Sequence, residues 1–338
     1  MMEAENELFE HHRVVADKGQ EPLRVDKFLL NRLEGTSRNK IQQAALDGFI
    51  RVNDISVKSN YKVKPHDIVT VMFTNPPREI ELIPQNIPLD IVFEDDDIVI
   101  LNKAAGMVVH PGYGNYKDTL VNALAYHFNN LPANGGDESR PGLVHRIDKN
   151  TTGLMVIAKN ELAMQSLSKQ FFERTIDRKY NALVWGELEN ESGTIEGHIG
   201  RSLKNRKVMS VFPDGEYGKH ALTHYKVIER FSYVSLVECK LETGRTHQIR
   251  VHFQHIKHPL FNDFEYGGDK ILKGTTFSKY KQFVDNCFKL IPRQSLHAKS
   301  ISFNHPRTGE WISFHSELPC DMELVIEKWR NYAKHKIQ

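Results

Sequence analysis

The spacing of apolar and polar positions changes along the chain, and each change predicts a different element. Val25, Phe28, Leu29 and Leu33 recur at helical spacing, giving a short helix with one apolar face. Thr36-Ser37 places hydroxyls where a helix start leaves amide N–H groups without partners. Ile41, Ala44, Ala45 and Leu46 then give a second helix, stopped by Gly48. Beyond it, residues 49–52, 55–57 and 67–73 read as short strands, the first two joined by an Asn53-Asp54 turn. Further along, 89–93, 98–101, 154–158, 180–185, 221–228, 234–241 and 301–303 read as strands and 163–174 as a helix. Residues 241–252 alternate apolar and cationic side chains and read as one more strand with a buried face. Strands outnumber helices and no strand–helix–strand rhythm is visible. The fold expected is α+β: a mixed, largely antiparallel sheet with a small α/β module in front of it.

Composition refines this picture. The chain has 338 residues, 40% hydrophobic and 26% charged, enough for two domains with one sizeable core. Residues 1–21 are acidic and read as a mobile tail or loose edge. Residues 22–73 form a module in which nine Lys/Arg face five acids. Residues 74–88 carry Pro76, Pro77, Pro84 and Pro88 and read as a semi-stiff linker before a main domain over 89–335. A net charge of +2 gives no bulk electrostatic case for nucleic acid, so only its local distribution can make one. Cys239, Cys287 and Cys320 lie far apart and form no Cys-x-x-Cys pair, which fits reduced thiols in a cytoplasmic protein. No apolar run reaches the length of a membrane span, and the acidic start lacks the apolar core of a secretory signal.

Candidate chemistry is concentrated in three runs. His145-Arg146-Ile147-Asp148 crowds an imidazole, a guanidinium and a carboxylate before a Thr151-Thr152-Gly153 turn and an apolar strand. Desolvating such charges costs several kcal/mol each unless they are paired. Asp148 is a candidate nucleophile or base; alternatively it caps its own turn through the Asn150 and Thr151 amides. The second run is 241–252, with Arg245 and Arg250. The third is Arg178-Lys179-Tyr180, where the tyrosine could stack on a base or simply fill a core. Weaker signals are His247, His252, His255 and His258, which mimic metal spacing beside the repelling cations Arg250 and Lys257. The glycine-rich turn 110–115 lacks the register of a nucleotide fingerprint, and 201–207 is a basic loop able to grip RNA.

The first run resembles the catalytic motif of the RluA-type pseudouridine synthases, with Ile147 for the usual Leu and Asn150 for the usual Asp. Thr243-Gly244-Arg245-Thr246-His247-Gln248-Ile249-Arg250 and Arg178-Lys179-Tyr180 are similar to further motifs of that family. So are Asn102-Lys103, His258-Pro259-Leu260, Tyr266-Gly267-Gly268 and Leu296-His297-Ala298, while Ala104 and Asn262 depart from it. The segment from Arg24 through Ser37-Arg38-Asn39-Lys40 to Asn53 resembles the S-four-type RNA-binding domain, named for a ribosomal small-subunit protein.

The resemblance implies isomerisation of specific uridines to pseudouridine in RNA, foremost the large-subunit (23S) ribosomal RNA, free or in the assembling subunit. It implies Asp148 as the essential carboxylate, Arg250 as its basic partner and Tyr180 stacked on the target base. It makes Arg146, Arg245, His145, Arg38 and Lys40 RNA contacts. No atom is added in the reaction, so neither cofactor nor metal is implied, and a monomer without membrane attachment suffices. Three other readings stay open. A transfer-RNA-directed enzyme of the same fold differs only in target. A non-catalytic RNA-binding assembly factor would leave the site idle. A glycosidase needs a second carboxylate, for which Asp263 is a weak candidate.

Overall fold

Ser37 begins the second helix as its sequence suggests: its hydroxyl accepts the Lys40 amide N–H, and Ile41, Ala44 and Ala45 turn inward. The structure is a computed structural model and describes residues 8–33, 36–74, 82–111, 115–128, 130–133, 140–203, 205, 208–215 and 217–336. Residues 1–7 of the tail, 75–81 of the linker, 112–114 of the glycine-rich turn, and Lys204, Arg206 and Lys207 of the basic loop lie outside these. The chain divides between residues 80 and 81 into two units.

The N-terminal unit runs β1 (Phe9–Val15), β2 (Leu23–Arg24), α1 (Val25–Leu30), α2 (Arg38–Leu46), β3 (Ile50–Val52), β4 (Ile55–Ser56), β5 (Lys62–Val63) and β6 (Ile68–Phe73). Four strands form a sheet in the order β1-β6-β3-β4, and β2 pairs with β5. Asn53 and Asp54 both take positive φ, 50° and 67°, the mirror-image turn that matches the twist of a tight hairpin. Val25, Phe28 and Leu29 of α1 and Ile41, Ala44 and Ala45 of α2 close over Ile50, Val52, Val69 and Val71. Within the acidic stretch read as a mobile tail or loose edge, one segment is strand. Phe9–Val15 is an edge strand paired antiparallel with β6. Its half-buried Phe9, His11 and Val14 supply enough apolar contact to hold it, while its charged positions face water.

The C-terminal unit continues with β7 (Ile91–Glu94), β8 (Ile98–Lys103), α3 (Leu120–His127), β9 (Thr152–Ala158), α4 (Glu161–Glu173), β10 (Asp177–Trp185), β11 (Ser192–Arg201), β12 (Met209–Phe212), β13 (Lys219–Arg230), β14 (Val234–Leu241), α5 (Gln248–His255), α6 (Ser278–Leu290), β15 (Leu296–Asn304), β16 (Trp311–His315) and α7 (Cys320–Lys336). Ten strands make one sheet in the order β12-β11-β13-β14-β10-β15-β9-β8-β7, with β16 on the flank of β15. It is antiparallel except where β15 meets β9 in parallel through His297–Thr152 and Ala298–Gly153, the mixed sheet expected. Gly153 sits there at φ +112°, and a Cβ would lie 2.3 Å from the Ala298 carbonyl oxygen, so only glycine lets the strands touch.

All seven positions of β9 are buried because both sheet faces are covered. Met155 and Ile157 face a core with Val99, Leu101, Tyr180, Ala182, Ile249 and Phe253. Leu154 and Val156 face Ala163, Met164 and Leu167 of α4. Further along, Leu183 and Trp185 of β10 pack with Val284 of α6 and Trp329 of α7.

Two further differences from the sequence reading concern the site. Residues 248–255 are helix, not strand: 248–253 are buried all round, so Ile249, Val251 and Phe253 produced an apparent period of two. The proline-bearing stretch from residue 82 on is not free linker. Leu82 and Leu89 pack on the main core, and Ile83 accepts the Asn122 side-chain N–H at 2.8 Å.

Candidate active site

Asp148 lies in the loop that enters β9. Its carboxylate is 20% exposed and meets the Arg250 guanidinium, Nη1 to Oδ2, at 3.2 Å across 102 residues of sequence. The turn-capping alternative does not describe this side chain. Among the described residues it takes no backbone N–H; only the main-chain carbonyl of Asp148 accepts one, from Thr151 at 3.1 Å.

Arg250 itself is buried in the first turn of α5, with a side chain 3% exposed. Its main counter-ion is Asp263, which takes Nε at 2.7 Å and Nη2 at 2.8 Å in a two-pronged pair; Glu265 takes Nη2 as well. Burial alone would lower its pKa, but Asp263, then Asp148 and Glu265, raise it. A forked Arg–carboxylate pair fixes the guanidinium, so its remaining N–H aims at Asp148 through one longer contact. Oδ1 of Asp148 has no hydrogen bond among the described residues; His247 Nε2 lies 3.9 Å from it. One oxygen is thus held and the other stays available.

His247 stands at the start of α5 with φ 55°, a left-handed conformation rare for a side chain of this size. Its Nδ1 is 2.8 Å from the Tyr266 hydroxyl, and burial lowers its pKa while Asp148 pulls it up. Beneath the loop, Lys103 is 2% exposed. It donates to the carbonyls of Ala104, Met107 and Lys149 at 2.7, 3.0 and 2.9 Å. Burial pushes its pKa down to about 7 and Asp148 draws it back; only the ammonium form offers three hydrogens to three carbonyls. Arg293 holds the far end of the loop, donating to the Asn150 carbonyl at 3.1 Å while Asp321 grips it at 2.7 and 2.9 Å.

Asp148, His247 and Arg250 border a cleft of about 460 Å³, within the usual range of a ligand site. Tyr180 lines it, largely buried, beside a slip in register: Lys179 pairs with Ser300 but Tyr180 with Ala298, leaving Lys299 unmatched. Such an irregularity re-aims the side chains next to it. Burial raises the Tyr180 pKa, so the phenol is neutral. Arg146 is exposed at the rim, with Nη1 3.2 Å from His110 Nε2. Arg245 donates Nε to the His220 carbonyl at 3.0 Å. Arg174 and Arg178 also line the cleft.

His145 borders the cleft as well, but its nitrogens do not reach out. Nε2 accepts the Val156 amide N–H at 3.1 Å and the enclosed Nδ1 has no partner, so burial pushes its pKa down to about 3. Its ring lies on Phe171 at 4.8 Å. In the N-terminal unit Arg38 donates to buried Asp26 at 3.0 Å, as Arg24 does, and Lys40 is exposed on α2.

The remaining sequence candidates go elsewhere. Three of the four histidines serve different partners: His247 meets the Tyr266 hydroxyl, His252 bonds Thr223 at 2.9 Å and His258 the Trp185 carbonyl at 2.7 Å. Asp263 is fully buried against Arg250 and cannot act as a second carboxylate across a substrate. One donor triad among the described residues, Asp95, Asp97 and His305, is a clasp: Arg307 already takes both oxygens of Asp97. Reading the sequence missed Glu265, Lys103 and Arg293 as supports of the site. The site groups they hold lie 15, 46 and 143 residues away, and only Lys103 falls in a run that the sequence marks, Asn102-Lys103.

Comparison with known proteins agrees with this geometry. Residues 97–255 match the RNA pseudouridylate synthase family and residues 23–69 the S4 domain. An RNA pseudouridine synthase of Chlorobaculum parvum is 49% identical over 315 residues, 93% of this chain and 96% of that one. A ribosomal large subunit pseudouridine synthase D of Zymomonas mobilis is 40% identical over 311 residues, 90% of this chain and 93% of the other. Among solved structures, human RNA pseudouridylate synthase domain containing 4 superposes with a TM-score of 0.52 at 25% identity, covering 71% of this chain and 93% of its own. No helix among the described residues is long and apolar enough to cross a membrane.

Proposed function

Because this chain belongs to the RNA pseudouridine synthases, an isomerase family that converts uridine to pseudouridine in RNA, we propose that Asp148 is its catalytic carboxylate and large-subunit (23S) ribosomal RNA its substrate. The observation that carries the assignment is the one-sided hold on Asp148: one oxygen on Arg250 at 3.2 Å, the other without a hydrogen bond among the described residues.

The isomerisation breaks the bond between the uracil ring nitrogen and the ribose, turns the ring over, and re-forms the link through a ring carbon. The proton that carbon loses is balanced by one gained at the nitrogen, so nothing is added or removed. The protein must draw the nucleotide out of its stack, supply a carboxylate at the sugar or base, and confine the detached ring. Asp148 acts through its open oxygen while Arg250 fixes its rotamer. Tyr180 offers an aromatic wall for the ring, and Arg146 at the rim fills the space that an everted base leaves. Arg174, Arg178 and Arg245 hold the neighbouring phosphates, so binding weakens steeply with salt. In the N-terminal unit, Lys40 and the exposed parts of Arg24 and Arg38 add phosphate contacts. The relatives named as ribosomal large subunit synthases support the choice of RNA.

The test uses total RNA from cells lacking the protein. Wild type restores pseudouridines in large-subunit ribosomal RNA; Asp148→Asn, nearly the same shape, restores none yet binds the RNA. Turnover by Asp148→Asn overturns its assignment, and restoration in transfer RNA alone overturns the target.

A further inference from the structure

The most exposed large apolar side chain among the described residues is Phe172, at 88%, and it stands on the edge of the cleft. Its exposure is imposed by its neighbours. Consecutive positions on a helix point about 100° apart. Phe171 lies on His145 at 4.8 Å, with the Arg178 guanidinium 5.1 Å from its ring centre, so Phe172 is turned outward. The helix end that carries the pair is fixed. Gln170 exchanges two hydrogen bonds with the Asn304 backbone, at 2.8 and 2.9 Å, which ties α4 to β15. Arg174 ends the helix in a left-handed conformation, φ 61°, and returns its amide N–H to the Gln170 carbonyl. A solvated phenyl ring on a fixed stretch of backbone beside an aromatic-floored cleft is therefore built in, not left over from loose packing.

Charge around it selects the occupant. Arg146, Arg174, Arg178 and Arg245 line the same cleft. Arg178 has no ion pair among the described residues, and its enclosed Nε has no hydrogen-bond partner. Of the acids nearby, Asp148 is paired with Arg250 at 3.2 Å, Glu242 is taken by His224 at 2.6 Å, and Glu173 faces Lys169 at 3.9 Å. An aromatic face flanked by unneutralised guanidinium groups is the pairing that binds single-stranded nucleic acid, with bases on the ring and phosphates on the cations.

We propose that Phe172 is a stacking platform for the unpaired nucleobase next to the target uridine. It is a positioning residue that holds the strand on one side while the uridine enters the cleft. The inference rests on the reading of this cleft as the uridine site, and it adds a second base-binding position outside the reaction centre.

The test uses the full chain and a short uridine-rich single strand. One position beside a uridine carries a fluorescent adenine analogue whose emission is quenched by stacking. Wild type quenches it. Phe172→Ala and Phe172→Leu lose the quenching and raise KM on the order of tenfold, more than they lower kcat, whereas Phe172→Trp restores both. An abasic site at the flanking position weakens wild type by the same factor and leaves Phe172→Ala with no further loss. Equal quenching and KM for wild type and Phe172→Ala overturn the platform, as does a Phe172→Leu variant that behaves as wild type. A change in self-association without a change in RNA binding also overturns it, assigning the ring to a protein contact. Quenching is read without turnover, so a wild type that quenches but forms no pseudouridine sinks the activity and not the platform.

Discussion

In the N-terminal unit the buried charge is a carboxylate ringed by cations; in the C-terminal unit it is a guanidinium ringed by carboxylates. Asp26 has no exposed surface and accepts hydrogen bonds from Arg24, Arg38 and Gln42 between 2.9 and 3.1 Å. Burial would raise its pKa, but these donors hold it well below the usual carboxylate range. Arg250 reverses the signs, with Asp263, Glu265 and Asp148 around it. In both, the central group is fully satisfied and the outer groups reach the surface. What differs is which sign is presented to a ligand. Arg24 and Arg38, about two-fifths exposed, turn positive charge outward, as a phosphate backbone requires. The C-terminal arrangement turns one carboxylate outward, held by a single contact, and the catalytic role proposed for Asp148 rests on that freedom. An ion cluster thus fixes local structure through its centre and function through its least constrained member.

Breaking the centre of the second cluster has the largest effect. Arg250→Leu leaves three carboxylates facing one another and costs about 3–5 kcal/mol in chemical denaturation of the C-terminal unit, with loss of turnover. Breaking the centre of the first costs less, because Arg24 and Arg38 can rehydrate where they stand. Asp26→Ala lowers the stability of the N-terminal unit by about 2 kcal/mol and weakens RNA binding, while Asp148 and Arg250 keep their contact.

Acid separates the two units more gently. His145, His252 and His297 have pKa values pushed down by burial from 6.5 to about 3, about 4 and about 4. As pH falls through 6.5 the unfolded chain takes up protons at these positions and the folded chain does not. The unfolded state then holds more protons, so stability falls with pH, by up to about 1.4 kcal/mol per pH unit for each histidine. The depressed Asp26 has the other window: its contribution is present above its ordinary 3.8 and is lost only as pH falls below it. Hydrogen exchange between pH 6.5 and 4 is expected to show protection lost first around β9 and β15. A simultaneous loss in both units would contradict the contrast.

The parts that sequence made legible are those set by neighbours in the chain. Ser37 and the Asn53-Asp54 turn act within three residues, and β14 shows its own pattern over 234–241. Asp148, Arg250 and Tyr180 were marked by resemblance, and the structure brings all three to one cleft. Helix α5 was not legible, because burial on every side removes the polar stripe that distinguishes three-to-four periodicity from two. The role of Asp263 and Glu265 was invisible for another reason. They are ordinary acids until the loop after α5 folds back on Arg250, an encounter no local pattern records. Phe172 looked like one more apolar residue at a helix end; only its exposure sets it apart.

The clasp on the Asp148 loop also acts in time. A polypeptide is made from its N-terminus, and Asp148 emerges 102 residues before the guanidinium that steadies it and 143 residues separate Asn150 from Arg293. Arg293 is itself secured by Asp321, at the start of the last helix. A growing chain therefore carries the Asp148 loop before the residues that secure it have been made, and the loop reaches its final form only after Arg293 and Asp321 have left the ribosome.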